Sequence, residues 1–176
     1  MQDNLLRGDC FLPSKKRKIS KACLDATLNA PDILRNGEDR PHKLYGKSET
    51  ESIYLAKEGE EIRYRFEKLK INEIHITFDS DLNRVTLEGS DCERTHGTRP
   101  LTKLTSPEYH IPTTLCKSFT LIGELDGNAT EILHIYENRK RAYNIPISME
   151  LDSITLIPLE GRNDSGKVGI ISFDFT

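Results

Sequence analysis

The sequence has no tryptophan, no long apolar run and no paired metal-ligand spacing. No stretch approaches the roughly 20 apolar residues that a helix needs to cross a bilayer, so a membrane partner is not expected. The opening residues MQDNLLRGDCFLP lack the basic and apolar regions of a secretory leader. The chain is therefore expected in the cytoplasm, or as a fragment of a longer exported protein. Cys10, Cys23, Cys92 and Cys116 are scattered, with no C-x-x-C and no histidine pair at zinc spacing, which argues against structural zinc. They read as small buried thiols, although four cysteines would permit two disulfides in an exported protein. None of the 11 glycines forms a G-x-G, so the glycine-rich turn that brings backbone amides to a pyrophosphate is missing and FAD has no seat in this chain. G-x-S-x-G, H-E-x-x-H and P-loop patterns are absent too, and no catalytic set is legible.

Charge excludes another class. A net charge of −3 gives no broad basic field, so nucleic acid is not an expected partner. The single basic run near the start, Lys15-Lys16-Arg17-Lys18, follows Pro13 and Ser14 and reads as solvated linker.

What is present is alternation. The chain is organised around Lys70 to Arg84, where Ile74, Ile76 and Phe78 share one face of an extended segment and Glu73, His75 and Thr77 the other, before Asp79, Ser80, Asp81 and Asn83 stop it. Glu61 to Glu67 alternates in the same way through Ile62, Tyr64 and Phe66, and Lys68 to Lys70 reads as the connection between two consecutive strands. Cys23 to Leu28 and Ser52 to Leu55 are strand-like, and Asn29 to Arg40 is a loop with turn chemistry at Pro31, Asn36-Gly37 and Pro41. Arg84 to Pro112 is polar and irregular, the kind of long connection in which binding sites tend to sit. Ser118 to Leu125 and Glu131 to Tyr136 form a hairpin about Asp126-Gly127-Asn128. Tyr143 to Leu151, Ser153 to Leu159 and Lys167 to Phe175 complete a set of roughly eight to ten strands with turns at intervals of about 8 to 12 residues. The expectation is an all-β fold, an antiparallel β-sandwich of jelly-roll type over 21–176, with residues 1–20 as a connector. A chain of this length can bury about 70% of its unfolded surface in one core.

Some residues invite chemistry. Asp79, Ser80, Asp81 and Asn83 place side-chain oxygens at alternate positions, which suits calcium, but an EF-hand would need glycine and glutamate where Arg84 and Ser90 stand. The Asx-turn, in which Asp and Asn bond their own backbone, is the favoured reading. His75 lacks a second histidine at a fixed offset and reads as structural. The triplets Asn128-Ala129-Thr130 and Asn163-Asp164-Ser165 match a glycosylation sequon but arise often by chance.

The runs EIHITFDSDLNR, SPEYHIPTTLCKSFTL, ENRKRAYNIPI and DSITLIPLEGRNDSGKVGIISFDF resemble the C-terminal module of a family of bacterial FAD-dependent oxidoreductases, many of them from gut Bacteroidetes. Leu5 to Pro13 resembles the segment leading out of their flavin domain, and Asn36 to Pro41 their N-G-x-D-R-P loop. The module is similar in character to galactose-binding, discoidin-like jelly rolls. The resemblance implies a non-catalytic accessory module that binds carbohydrate or docks onto an upstream flavin domain, with any FAD held there. The alternative it implies is a module that completes the active site of that oxidoreductase. Relatives carry a tryptophan after the D-R-P loop and a W-G pair before the last strand, whereas this chain has Lys43-Leu44-Tyr45 and Arg162-Asn163-Asp164 in those stretches. On the binding reading, Asn36, Asp39, Arg40 and His42 offer sugar-type hydrogen-bond partners from one loop, and Arg139 and Arg141 add contacts from the opposite side. An Asp39–Arg40 ion pair that clips the loop together is the competing reading for those two residues.

Overall fold

A computed structural model describes residues 16–39, 53–80 and 111–176. Seven strands run through the described residues: β1 (Thr27–Leu28), β2 (Tyr54–Lys57), β3 (Ile62–Phe78), β4 (Ser118–Leu125), β5 (Asn128–Ile135), β6 (Ala142–Glu160) and β7 (Lys167–Phe175). Every pairing is antiparallel, and the order is β2-β7-β3-β6-β4-β5 with β1 beside β3.

Two strands are long enough to serve both layers of a sandwich. The 17-residue β3 and the 19-residue β6 pair from Ile62 opposite Leu156 to Thr77 opposite Ala142. Their register slips between Arg65 and Leu69 and again between Ile71 and Glu73, the bulge-type irregularity that lets a strand bend from one sheet into the next. The first half of β3 and the second half of β6 form one layer with β1, β4 and β5. The second half of β3 and the first half of β6 form the other with β7 and β2. Aromatic rings join the layers. Tyr64 meets Phe173 and Phe175 with centroids 5.2 Å away in each case, and Phe78 meets Phe119 at 4.9 Å. The Tyr64 hydroxyl donates to the Phe173 carbonyl at 2.7 Å, so its one polar atom is satisfied inside the core.

Four expectations from the sequence are revised. Lys68 to Lys70 is no connection, because β3 passes straight through it; its exposed, polar residues mark the bend. The same holds across Asp152, where the two expected strands are one. Cys23 to Leu28 is not a strand throughout. A short helix α1 (Lys21–Asp25) comes first, capped by the Ser20 hydroxyl, which accepts from the Cys23 amide at 3.1 Å and donates to the Phe175 carbonyl at 2.7 Å. One turn of 3-10 helix (Asp32–Arg35) interrupts the Asn29 to Arg40 loop. The hairpin β4–β5 is as expected, with a two-residue turn in which Asp126 and Gly127 both have positive φ (50° and 80°), the geometry that matches the twist of the flanking strands. Cys23 and Cys116 are free and buried, and burial pushes the Cys116 thiol up to about 12. Among the described residues no helix is long and apolar enough to cross a membrane.

Most connections meet at one end of the sandwich. There β2 ends, β4 begins opposite the end of β6 (Ser118 against Glu160), β5 leads through residues 136–141 into β6, and β6 turns into β7. The other end holds the tight Asp126-Gly127 turn.

Candidate functional site

Two polar regions bear on function. The first covers the outer face of the second layer. His75 and Thr77 on β3 and Ser172 and Asp174 on β7 alternate with the core-facing Ile74, Ile76, Phe78 and Phe173, so they point away from the core. All are nevertheless buried, because the segment 16–39 lies across them. Arg17 is the centre of that cover. Its Nη1 and Nη2 reach the two carboxylate oxygens of Asp174 at 2.8 Å each, and its Nε donates to Asp39 at 3.2 and 3.3 Å. The fork geometry of the guanidinium suits both carboxylates. Arg17 was expected in a solvated run; it is instead a buried-face anchor whose partner Asp174 is only 3% exposed.

Asp39 is held from several sides. Besides Arg17, its Oδ1 lies 3.0 Å from His75 Nε2, and its backbone carbonyl accepts from Arg141 Nη2. Burial alone would raise its carboxyl, but the hydrogen bonds and charge of Arg17, followed by His75, outweigh that and hold it below the ordinary value of 3.8. His75 is saturated in turn: Nδ1 meets Asn144 Oδ1, and Nε2 also lies 3.0 Å from Thr77 Oγ1. Asn36 turns its side chain back on the loop, with Oδ1 accepting from the Glu38 amide at 2.7 Å. The next residue, Gly37, has φ +78° and lies so close to Arg17 that a Cβ would fall 2.3 Å from the Arg17 carbonyl oxygen. Only glycine fits there, and the Arg17 amide bonds the Gly37 carbonyl at 2.9 Å.

Of the residues expected to bind ligand, Asn36, Asp39, Arg139 and Arg141 can be placed; Arg40 and His42 lie outside the described residues. Asp39 and Arg141 come together in this network. Asp81 and Asn83 of the acidic turn also lie outside, while Asp79 continues the ladder with its amide on the Gly169 carbonyl at 2.8 Å. Among the described residues, no cluster of three or more His, Cys, Asp or Glu side chains is arranged to hold a metal.

The second region is the loop end. An open cleft of about 520 Å³ is lined there by Glu58, Lys117, Glu160, Arg162, Asn163 and Asp164, among others, a volume inside the range of about 300–1,000 Å³ usual for small-ligand sites. Lys117 Nζ donates to Glu160 at 2.6 Å, and the Gly161 amide donates to Glu58 at 2.7 Å. The loop 136–141 flanks this cleft and is pinned to it by one buried side chain. Asn138 is 1% exposed. Its Nδ2 donates to the Cys116 carbonyl at 2.9 Å, its Oδ1 accepts from the Lys140 amide at 2.7 Å and from the Tyr143 hydroxyl at 2.8 Å, and its own carbonyl accepts from Arg162 Nη2 at 2.6 Å. Its amide bonds the Lys117 carbonyl at 2.8 Å.

That clamp fixes a loop with an aromatic ring on it. Tyr136 is 73% exposed, and its ring rests against His134 with centroids 4.1 Å apart; His134 is held by Thr120, whose Oγ1 lies 2.7 Å from Nδ1. Arg139 follows two residues after Glu137, exposed and with no partner among the described residues. The sequence reading missed Tyr136, which looked like the last residue of a strand, and it missed Lys117, Asn138 and Arg162. The signal available was Arg162-Asn163-Asp164 in a turn and Glu137 to Arg141 as a polar run between two strands.

No family model matches the sequence, and no curated protein matches it. Solved structures do. The chain is similar to GH31 CBM32-2 bound to GalNAc, at 14% identity and TM-score 0.55, covering 86% of this chain and 96% of that one. It is similar to the family 32 carbohydrate-binding module from Streptococcus pneumoniae EndoD, at 10% identity and TM-score 0.54, covering 86% and 95%. A labelled mutant of chitosan-binding module 1 from the chitosanase/glucanase of Paenibacillus sp. IK-5 matches at 8% identity and TM-score 0.50, covering 90% and 98%. At these identities the likeness shows the fold, an all-β sandwich shared with family 32 modules. The flavin-dependent parent implied by the sequence resemblance gains no support from these neighbours.

Proposed function

We propose that the chain is a non-catalytic carbohydrate-binding module that takes a saccharide at the loop end of the sandwich. The observation that carries the proposal is the pinned loop: Tyr136 stands 73% exposed at the head of a segment held by a buried asparagine, and the next residue, Glu137, reaches Lys117 and Arg162 of an open polar cleft. Sugar rings have apolar C–H faces and polar rims, so an aromatic platform next to hydrogen-bonding and charged groups is the chemistry they need. Lys117 keeps ammonium bonding capacity beyond its contacts with Glu160 and Glu137, and Asp164, without a partner among the described residues, supplies acceptors. A loop already fixed in place avoids an ordering cost on binding. Neighbours of the same fold include a module bound to GalNAc and one named for chitosan, which supports the reading. Docking to a flavin domain is the finer alternative left by the sequence resemblance; no feature of the loop end favours it.

The test is a glycan array followed by calorimetry on the best hit, with Tyr136→Ala alongside. Saturable binding is expected, weakened at least about tenfold by the substitution, or some 1.4 kcal/mol. If no glycan binds saturably, or if the variant binds as tightly as the parent, the proposed site is wrong.

A further inference from the structure

We infer that the saccharide taken at the loop end bears an anionic group, a carboxylate or a sulfate ester, and that Arg139 and Lys140 read it. This rests on the carbohydrate reading above. Most charges at that end are already paired. Glu160 is paired with Lys117 at 2.6 Å, and Glu137 lies 3.4 Å from Arg162 and 3.9 Å from Lys117. Glu58, on the cleft wall, accepts from the Gly161 amide and keeps its charge, with no cation partner among the described residues. What remains on the loop is cationic. Arg139 is exposed and makes no hydrogen bond or ion pair among the described residues, and Lys140 is exposed with its ammonium 6.0 Å from the centre of the Tyr143 ring. No carboxylate among the described residues pairs with either.

These two cations are not on a floppy strand of chain. The Asn138 side chain bonds the amide of Lys140 and the hydroxyl of Tyr143, and the ring beneath Lys140 is therefore fixed by the same clamp that fixes the loop. The guanidinium of Arg139 offers the fork that matches a planar carboxylate or two oxygens of a sulfate. Asp164, in the β6–β7 turn, is a lining carboxylate without a partner among the described residues, and like-charge repulsion disfavours an anionic group against that turn.

The experiment compares oligogalacturonate with its carboxyl-reduced, neutral counterpart and with a sulfated oligosaccharide of similar length. Binding to the whole chain is measured by calorimetry at about 20 mM and about 500 mM salt, where screening lengths differ several-fold. Exposed pairs are individually weak, so the expected preference for the acidic form at low salt is about fivefold or more. It should shrink at high salt and disappear in Arg139→Gln/Lys140→Gln, whose melting temperature reports that the fold is intact. Binding of the uronate but not the sulfated sugar assigns the charge to a carboxylate; the reverse assigns it to a sulfate. Equal affinity for acidic and neutral sugars overturns the inference and leaves the carbohydrate reading standing. A preference that survives in the double variant overturns the assignment to these residues. No binding to any of the three, together with a blank glycan array, removes both.

Discussion

The network around Arg17 and the loop around Asn138 are built from similar side chains and are put to opposite uses. In the first, two carboxylates, a guanidinium, an imidazole and an amide satisfy one another across three strands and the covering segment. In the second, a single buried amide takes up the bonding capacity of the backbone and leaves Tyr136, Arg139 and Lys140 facing outward. A polar residue is available to a ligand only when its neighbours have not already used its lone pairs and protons. Asp39 has the chemistry of a sugar contact, but its Oδ1 is taken by Arg17 and His75; Arg139 has the chemistry and no partner among the described residues.

The largest loss is expected at Arg17. Replacing it with methionine leaves Asp174 buried without its cation, and losing one partner of a buried pair typically costs about 3–5 kcal/mol; Arg17 is partly exposed, so about 3 kcal/mol is expected. For a domain of this size that lowers the melting temperature by roughly 6–12 °C. Differential scanning calorimetry reads it, and a drop under about 2 °C would mean that the covering segment adds little to the fold. A smaller effect follows from Asp39. Its folded carboxyl titrates below the ordinary value of 3.8, so its stabilising share is complete above that value and is lost as pH falls through the folded, lower one. Melting temperatures measured from about pH 5 to about pH 2 should fall faster for the parent than for Asp39→Asn, and the two curves should converge at the acid end. Parallel curves would show that the Arg17 contact does not favour the ionised form. The smallest effect belongs to the loop: Arg139→Gln/Lys140→Gln should shift stability by no more than about 0.5 kcal/mol, as surface changes without partners do, and a larger loss in urea unfolding would show that these cations hold the fold together after all.

How far the sequence discloses this molecule depends on the range of the interaction. The β4–β5 hairpin is legible because Asp126-Gly127 encodes its turn locally and alternation runs cleanly on both sides. The last strand is legible for the same reason. The continuity of β3 is hidden, since Glu67, Lys68 and Lys70 are exposed at the bend and the bulges break the period of two where a connection would be sought. Helix α1 spans only 5 residues, too short for its periodicity to show. The Arg17 network is the least legible, because Asp39 and Asp174 lie 22 and 157 positions away and nothing beside Arg17 marks it as different from Lys16 or Lys18. For the site, the loops before Pro41 and after Tyr136 could both be picked out as polar. Which of them is saturated depends on contacts between distant segments, and so does the role of Asn138.

The shared strands have a consequence for how the molecule comes apart. Since β3 and β6 each supply backbone pairing to both layers, opening one layer strips partners from the other, and the sandwich is expected to unfold as one cooperative unit. Assembly carries the converse burden. The closing pair β2 and β7 joins residues such as Tyr54 and Ile170 that are far apart in the chain, so the last layer can zip only after a long loop has closed, and the folding rate is set by topology more than by the strength of any local turn.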